Sequence, residues 1–220
     1  MTYLHLSIAN KLELTMNLKD LSIHDFCNEL ASKNPTPGGG SAAAAAGAIG
    51  LSLVLMVGNY AEDQEKLSSI LDALKEEKNK LISLIDEDAE SFNTFMKAMK
   101  MPKSTPEEKQ QRKAAMQNAL KNAAQIPFQT LQSCSIGTKY MAMLKEDVKE
   151  SMISDLGAAS TLLCSAIQGA YLNVIINANS LKDEDFSQKL VSEAKKMQSN
   201  SVETLSSMYQ SVTDCLEKSA

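Results

Sequence analysis

Residues 42–58 constrain this chain more than any other stretch: they are apolar on every face except at Ser52, and Ala and Gly dominate them. A helix of that kind has to be surrounded, either at the centre of a core, at an oligomer interface or in a membrane. A membrane span is the weakest of the three. The run falls short of the roughly 20 residues a bilayer needs, its five consecutive alanines are only weakly hydrophobic, and basic flanks are missing. No membrane partner is therefore expected. The small residues Ala43, Gly47 and Gly50 would let a neighbouring helix approach closely. A second such stretch covers about residues 153–179. Two helices of this kind call for amphipathic helices around them, which predicts an all-α bundle.

The rest of the chain has the residues to supply them. Strong helix formers prevail, aromatics make up 5%, there is no Trp, and strand-forming residues are few. At 220 residues the chain can bury about 70% of its unfolded surface, enough for one enzyme-sized core. The net charge of −5 and a single arginine, Arg112, argue against nucleic acid as a partner, because phosphate binding needs clustered cations. Cys27, Cys134, Cys164 and Cys215 form no CxxC pair, and no secretory pattern opens the sequence. They are read as reduced, buried thiols in the cytoplasm. With only His5 and His24 beside them, no metal site is expected. Residues 1–15 read as an extension outside a single domain of residues 16–220.

Six or seven helices can be counted. Ser22 caps a first helix, with Asp25 in its opening turn and Ile23, Phe26, Cys27 and Leu30 on one face. The Pro- and Gly-rich residues 34–41 form a loop before the apolar run at 42–58. A long helix over residues 62–100 carries a seam of Leu67, Leu71, Leu74, Leu81, Ile85, Phe92, Phe95 and Met99, broken at Lys78 and Asp88. Lys78 can snorkel to water. Asp88 is too short for that, so it must find a donor, sit at a wet cleft or raise its pKa. Thr105, Pro106 and Glu108 open the next helix as N-cap, first-turn proline and capping glutamate. Glu108 and Arg112 are spaced for an i,i+4 ion pair, and Pro127 should kink or divide that helix. Ser154 or Asp155 is spaced either to cap the second apolar helix or to serve a site. A last amphipathic helix covers residues 185–218.

Glycines entering a helix suggest an anion cradle as well as a turn, since backbone N–H groups can approach a ligand there. A Walker loop does not fit, because no Gly-Lys-Ser/Thr follows. If the openings of the two apolar helices converge, N–H donors and a carboxylate meet in one pocket.

Five motifs carry a resemblance: NPTPGGGS at 34–41, DEDAESF at 86–92, MPKSTPEEK at 101–109, ISDL at 153–156 and GAYLNVIIN at 169–177. In this order and spacing the chain resembles the cyclodeaminase/cyclohydrolase family over about residues 18–218. That family includes the C-terminal domain of formiminotransferase-cyclodeaminase and stand-alone methenyltetrahydrofolate cyclohydrolases. The resemblance implies an all-α domain that forms a homodimer through helices, with a folate site near the subunit interface. It implies cyclisation of 5-formiminotetrahydrofolate to 5,10-methenyltetrahydrofolate with loss of ammonia, or hydrolytic opening of that methenyl bridge. Neither reaction needs a prosthetic group, and the folate is the substrate. Transfer from formiminoglutamate would fall to a separate formiminotransferase.

On this resemblance Asp155 is the first choice for the acid/base and Asp88 the second. Pro37, Gly38, Gly39, Gly40, Ser41, Ser154 and Asn173 are expected to bind the substrate. Lys103 and Arg112, with Lys109 and Lys113, would meet the glutamate tail of a folate, including a polyglutamylated one. The sequence departs from the family pattern at residues 149–153, where Gly-Asn is expected. A non-catalytic folate-binding or dimeric scaffold paralogue is the rival reading.

Overall fold

A computed structural model describes residues 17–218; the expected extension, residues 1–15, lies outside them. Among the described residues there are six α-helices and no strand. They are α1 (Ile23–Leu30), α2 (Gly39–Asn59), α3 (Gln64–Met99), α4 (Pro106–Leu144), α5 (Ile153–Ala178) and α6 (Glu184–Lys218), with short 3-10 turns at Leu18–Asp20, Lys145–Asp147 and Glu150–Met152. Thr36-Pro37 is a cis peptide.

The two apolar helices, α2 and α5, form the central pair; α2 at 21 residues is longer than the apolar run suggested, so both helices are long and apolar enough to cross a membrane by length and composition alone. They run antiparallel: a Cβ added to Gly39 would meet Asn173, one on Gly50 would meet Leu163, and one on Gly169 would touch Ala43. α3 lies antiparallel to α2, with Gly47 facing Leu81 and Gly58 facing Leu71. α4 runs parallel to α2, bringing Cys134 within 2.6 Å of the Cβ that Gly47 lacks and Leu51 within 2.2 Å of the one that Gly137 lacks. Close approach is thus why small residues crowd α2. The side chains that fill the gaps, Leu51, Leu74, Leu81, Leu131, Leu163 and Ile167, are fully buried. Each contributes roughly 1.5–3 kcal/mol relative to exposure. α6 closes the bundle against α5, where Val212 fills the space left by Gly157.

The helix boundaries follow local chemistry. Asp25 N–H donates to Ser22 Oγ at 3.1 Å, as the sequence predicts. At α4 the Thr105–Glu108 capping box is complete. Glu108 Oε2 accepts from the Ser104 and Thr105 amides, and this occupies the carboxylate expected to pair with Arg112. Arg112 Nε instead donates to Met99 O at 3.0 Å, tying the end of α3 to the start of α4.

Other expectations are corrected. Pro127 does not divide its helix, since α4 is unbroken from Pro106 to Leu144. Neither Ser154 nor Asp155 caps α5; Met152 is the N-cap position, and no side chain bonds there. Only Cys134 is buried; Cys27 is exposed and Cys164 and Cys215 are half-buried. Burial and the nearby Glu77 push the Cys134 thiol up to about 12, so it stays neutral. The short α1 buries none of its residues, and Ile23 is 79% exposed. At the end of the α3 seam Met99 is 40% exposed, because α3 outruns the core there.

Candidate active site

The loop before α2 does not end where composition suggests. Gly39, Gly40 and Ser41 already belong to the helix, with Gly38 as an extended N-cap at φ −130° that contributes no capping side chain. No described glycine has a positive φ, so their use here is close approach rather than left-handed backbone. The amides of the first turn have no acceptor within the helix. One of them, Ser41 N–H, donates to Asp88 Oδ2 at 2.8 Å. The Ser41 hydroxyl, fully buried, lies 3.0 Å from the same oxygen and 2.9 Å from Ile85 O, and its single proton can serve either.

Asp88 is the seam residue that the periodicity of α3 could not accommodate, and its carboxylate lies directly against Gly40. A Cβ on Gly40 would stand 2.1 Å from Asp88 Oδ1 and 2.5 Å from Cγ. Burial pushes the Asp88 carboxyl above the usual aspartate range, and the two hydrogen bonds from Ser41 offset only part of that. The result is a carboxylate more basic than an exposed one, held against the start of α2.

Among the described residues, Asp88 is the only charged one in the wall of a cavity of about 350 Å³. Gly38, Gly39 and Gly40 form one side, Ser91, Phe92 and Phe95 continue along α3, Leu120 and Ala123 come from α4, and Asn173 and Asn177 from α5. Two aromatic rings and a few convergent polar groups are what a site for a flat, polar-edged heterocycle requires. Among the described residues no group of three or more His, Cys, Asp or Glu side chains is placed to hold a metal.

The cavity brings together Gly38, Gly39, Gly40, Asp88 and Asn173 of the residues named from sequence. Pro37 and Ser41 are buried just behind it. The other named residues are not in its wall. Because α2 and α5 are antiparallel, their openings lie at opposite ends of the pair and do not converge. Eighteen positions of α5 separate Asp155 from Asn173, about 27 Å of helix. Within one chain, Ser154 and Asp155 therefore stand at the far end. Arg112 lies two helical turns N-terminal to Leu120 on α4, along the direction in which α3 and α4 leave the cavity, and Lys103 sits in the exposed loop between them. Sequence reading missed Phe92 and Phe95 as wall residues, having placed them in the core seam; they are half-buried because the seam opens there. It also missed Asn177 as a wall residue, although that residue closes the 169–177 motif and stands at i,i+4 from Asn173.

Gly40→Ala tests this geometry. The added methyl must displace the Asp88 carboxylate, and misplacing a reacting group by about 1 Å costs on the order of 100-fold in rate. A fall of that size in kcat is expected, with the circular dichroism spectrum of the parent retained.

Comparison with known proteins adds relatives to this geometry. The family described as formiminotransferase-cyclodeaminase matches residues 22–196. The chain is 36% identical over 174 residues to a formimidoyltransferase-cyclodeaminase of Gallus gallus, an alignment covering 73% of this chain and 31% of that protein. It is also 36% identical over 179 residues to a methenyltetrahydrofolate cyclohydrolase of Methylorubrum extorquens, covering 78% of this chain and 86% of the relative. Among solved structures, formiminotetrahydrofolate cyclodeaminase from Thermotoga maritima matches with a TM-score of 0.74 at 28% identity, over 91% of this chain and 98% of that one. The chain thus spans about a third of the first relative and most of the other two.

Proposed function

Since the chain belongs to the formiminotransferase-cyclodeaminase family of folate cyclodeaminases and cyclohydrolases, we propose that it cyclises 5-formiminotetrahydrofolate to 5,10-methenyltetrahydrofolate and releases ammonia. The observation that carries this reading is Asp88, a carboxylate of raised basicity in the wall of an aromatic-lined cavity. N10 attacks the formimino carbon and forms the second C–N bond of the bridge. The formimino nitrogen enters protonated, as the amidinium NH2+. Asp88 takes the N10 proton as the new bond forms and returns it to that nitrogen, which leaves as NH3 when its bond to carbon breaks, the positive charge staying on the methenyl bridge. Carbon keeps its oxidation level throughout, so the reading includes no redox or prosthetic group. Phe92 and Phe95 hold the ring system. The glutamate tail, single or polymeric, runs out between α3 and α4 toward Arg112, Lys103 and Lys109.

A homodimer is part of the reading, and one face supports it. Ser154, Ala158, Thr161, Ser165, Gln168, Leu172 and Ile176 are all exposed along α5 at steps of four and three. Leu172 and Ile176 are 65% and 63% exposed, and Ile49 on the neighbouring α2 is 51% exposed. Two-fold pairing of α5 with itself, antiparallel about Ser165, sets Ala158 against Leu172 and Ser154 against Ile176. Ile176 is a cavity wall residue. In that register Asp155 of the partner subunit stands at the mouth of the cavity, which accounts for a motif that one chain leaves about 27 Å away. We place this dimer in the cytoplasm.

The alternative, methenyltetrahydrofolate cyclohydrolase, is favoured by one observation: the relative of that name is aligned over 86% of its length. Asp88 would then activate water against the same bridging carbon. An absorbance assay of the methenyl chromophore distinguishes the two. Its appearance from 5-formiminotetrahydrofolate with one equivalent of ammonia is the expected result. Decay of added methenyltetrahydrofolate alone would assign the hydrolase, and no change with either substrate from well-folded dimer would leave the scaffold paralogue.

A further inference from the structure

Pro127 lies inside α4 without an N–H, so the carbonyl of Ala123, four residues back, loses its helical donor. That carbonyl does have a partner from another helix: Asn177 Nδ2 donates to Ala123 O at 2.7 Å. A carbonyl can only accept, so the orientation of the Asn177 amide is fixed, with its NH2 on Ala123 and Oδ1 turned away. No described residue donates to that Oδ1, and it is not among the buried, unpartnered side-chain atoms. Asn177 lines the cavity that holds Asp88. One turn earlier Asn173 repeats the arrangement, its Nδ2 donating to Gly169 O at 2.9 Å. Each amide turns its NH2 group toward a backbone carbonyl and donates one N–H to it. Their oxygens are left as acceptors on one wall, one turn apart, with the Asp88 carboxylate on the other.

We propose that Asn177 is a specificity-determining residue, clamped by the carbonyl that Pro127 frees so that its Oδ1 receives an N–H from the edge of a bound aminoheterocycle. The choice of heterocycle, the amino- and N–H-bearing pterin edge of a tetrahydrofolate, rests on the function proposed above. Asn173 Oδ1 is placed to receive a second donor from the same edge. A ligand with acceptors at those positions would leave the two oxygens facing lone pairs, which is how the wall discriminates.

The proline makes the structural and ligand roles separable. In the Pro127→Ala background a backbone N–H at position 127 can satisfy Ala123 O, so loss of the Asn177 side chain no longer strands that carbonyl. Four proteins are compared: parent, Asn177→Ala, Pro127→Ala and the double variant. The urea midpoint and the affinity for 5-formyltetrahydrofolate by calorimetry are measured for each. Asn177→Ala is expected to lower the midpoint clearly in the parent and much less in the Pro127→Ala background. It is expected to weaken folate binding by roughly tenfold in both backgrounds, the loss of one hydrogen bond that the ligand cannot replace. A double variant that binds as tightly as Pro127→Ala would make Asn177 a helix clamp only and overturn the proposal. Failure of the parent itself to bind the folate would overturn the functional reading and this inference with it.

Discussion

Asp88→Asn is expected to lower turnover of 5-formiminotetrahydrofolate by roughly 10²–10⁴-fold, the usual contribution of a positioned acid/base, while folate affinity changes little. The amide matches the carboxylate in shape and can still accept the Ser41 N–H that now reaches Asp88 Oδ2 at 2.8 Å. It cannot take the N10 proton. The pH dependence follows from the direction of the Asp88 shift. Only the ionised form is a base, so kcat/KM of the parent should climb through a pKa above the ordinary aspartate value, and the variant should lack that limb. Stability moves the other way. A carboxyl whose folded pKa is raised favours the folded state fully below its unfolded pKa, and that contribution is lost as pH rises through the folded value. Urea midpoints across that window should therefore fall in the parent, and Asp88→Asn should remove this part of the slope.

The second large effect concerns Asp155. If Asp155 serves the partner subunit's cavity, Asp155→Asn should cost at least about tenfold in kcat, and mixing it with Asp88→Asn should restore activity. After subunit exchange about half of the dimers are mixed, and each mixed dimer has one cavity carrying both substitutions and one carrying neither. About a quarter of parental activity is the expected yield, read in the methenyl assay. Activity that stays at the sum of the two homodimers would mean that Asp155 acts within its own chain or only supports α5.

Much of the fold was legible because the signals were local. Ser22, Thr105 with Glu108, and the all-round apolar runs each fixed an element through chemistry carried on a few adjacent residues. Asp88 was legible as an anomaly, a short carboxylate where the α3 seam demanded an apolar residue, and the structure gives it Ser41 and Gly40 as neighbours. The direction of packing was not legible. Nothing in residues 38–41 or 153–156 says that α2 and α5 run antiparallel, and that single fact places their openings at opposite ends. That Pro127 leaves α4 undivided has a related reason: its local cost, a stranded carbonyl, is met by Asn177 from 54 positions away in sequence. Glu108 illustrates the same limit on a small scale, since its carboxylate went to two backbone amides instead of Arg112.

The central claim is that one bridging carbon of a folate reacts in the cavity at the start of α2, against Asp88. A crystal structure of the Asp88→Asn variant with 5-formiminotetrahydrofolate tests it most directly, because the slowed enzyme should retain its substrate. The account predicts N10 within about 3 Å of the side chain at position 88, the ring system against Phe92 and Phe95, and the glutamate tail leading toward Arg112. Substrate bound elsewhere on the bundle, with this cavity empty, would contradict it.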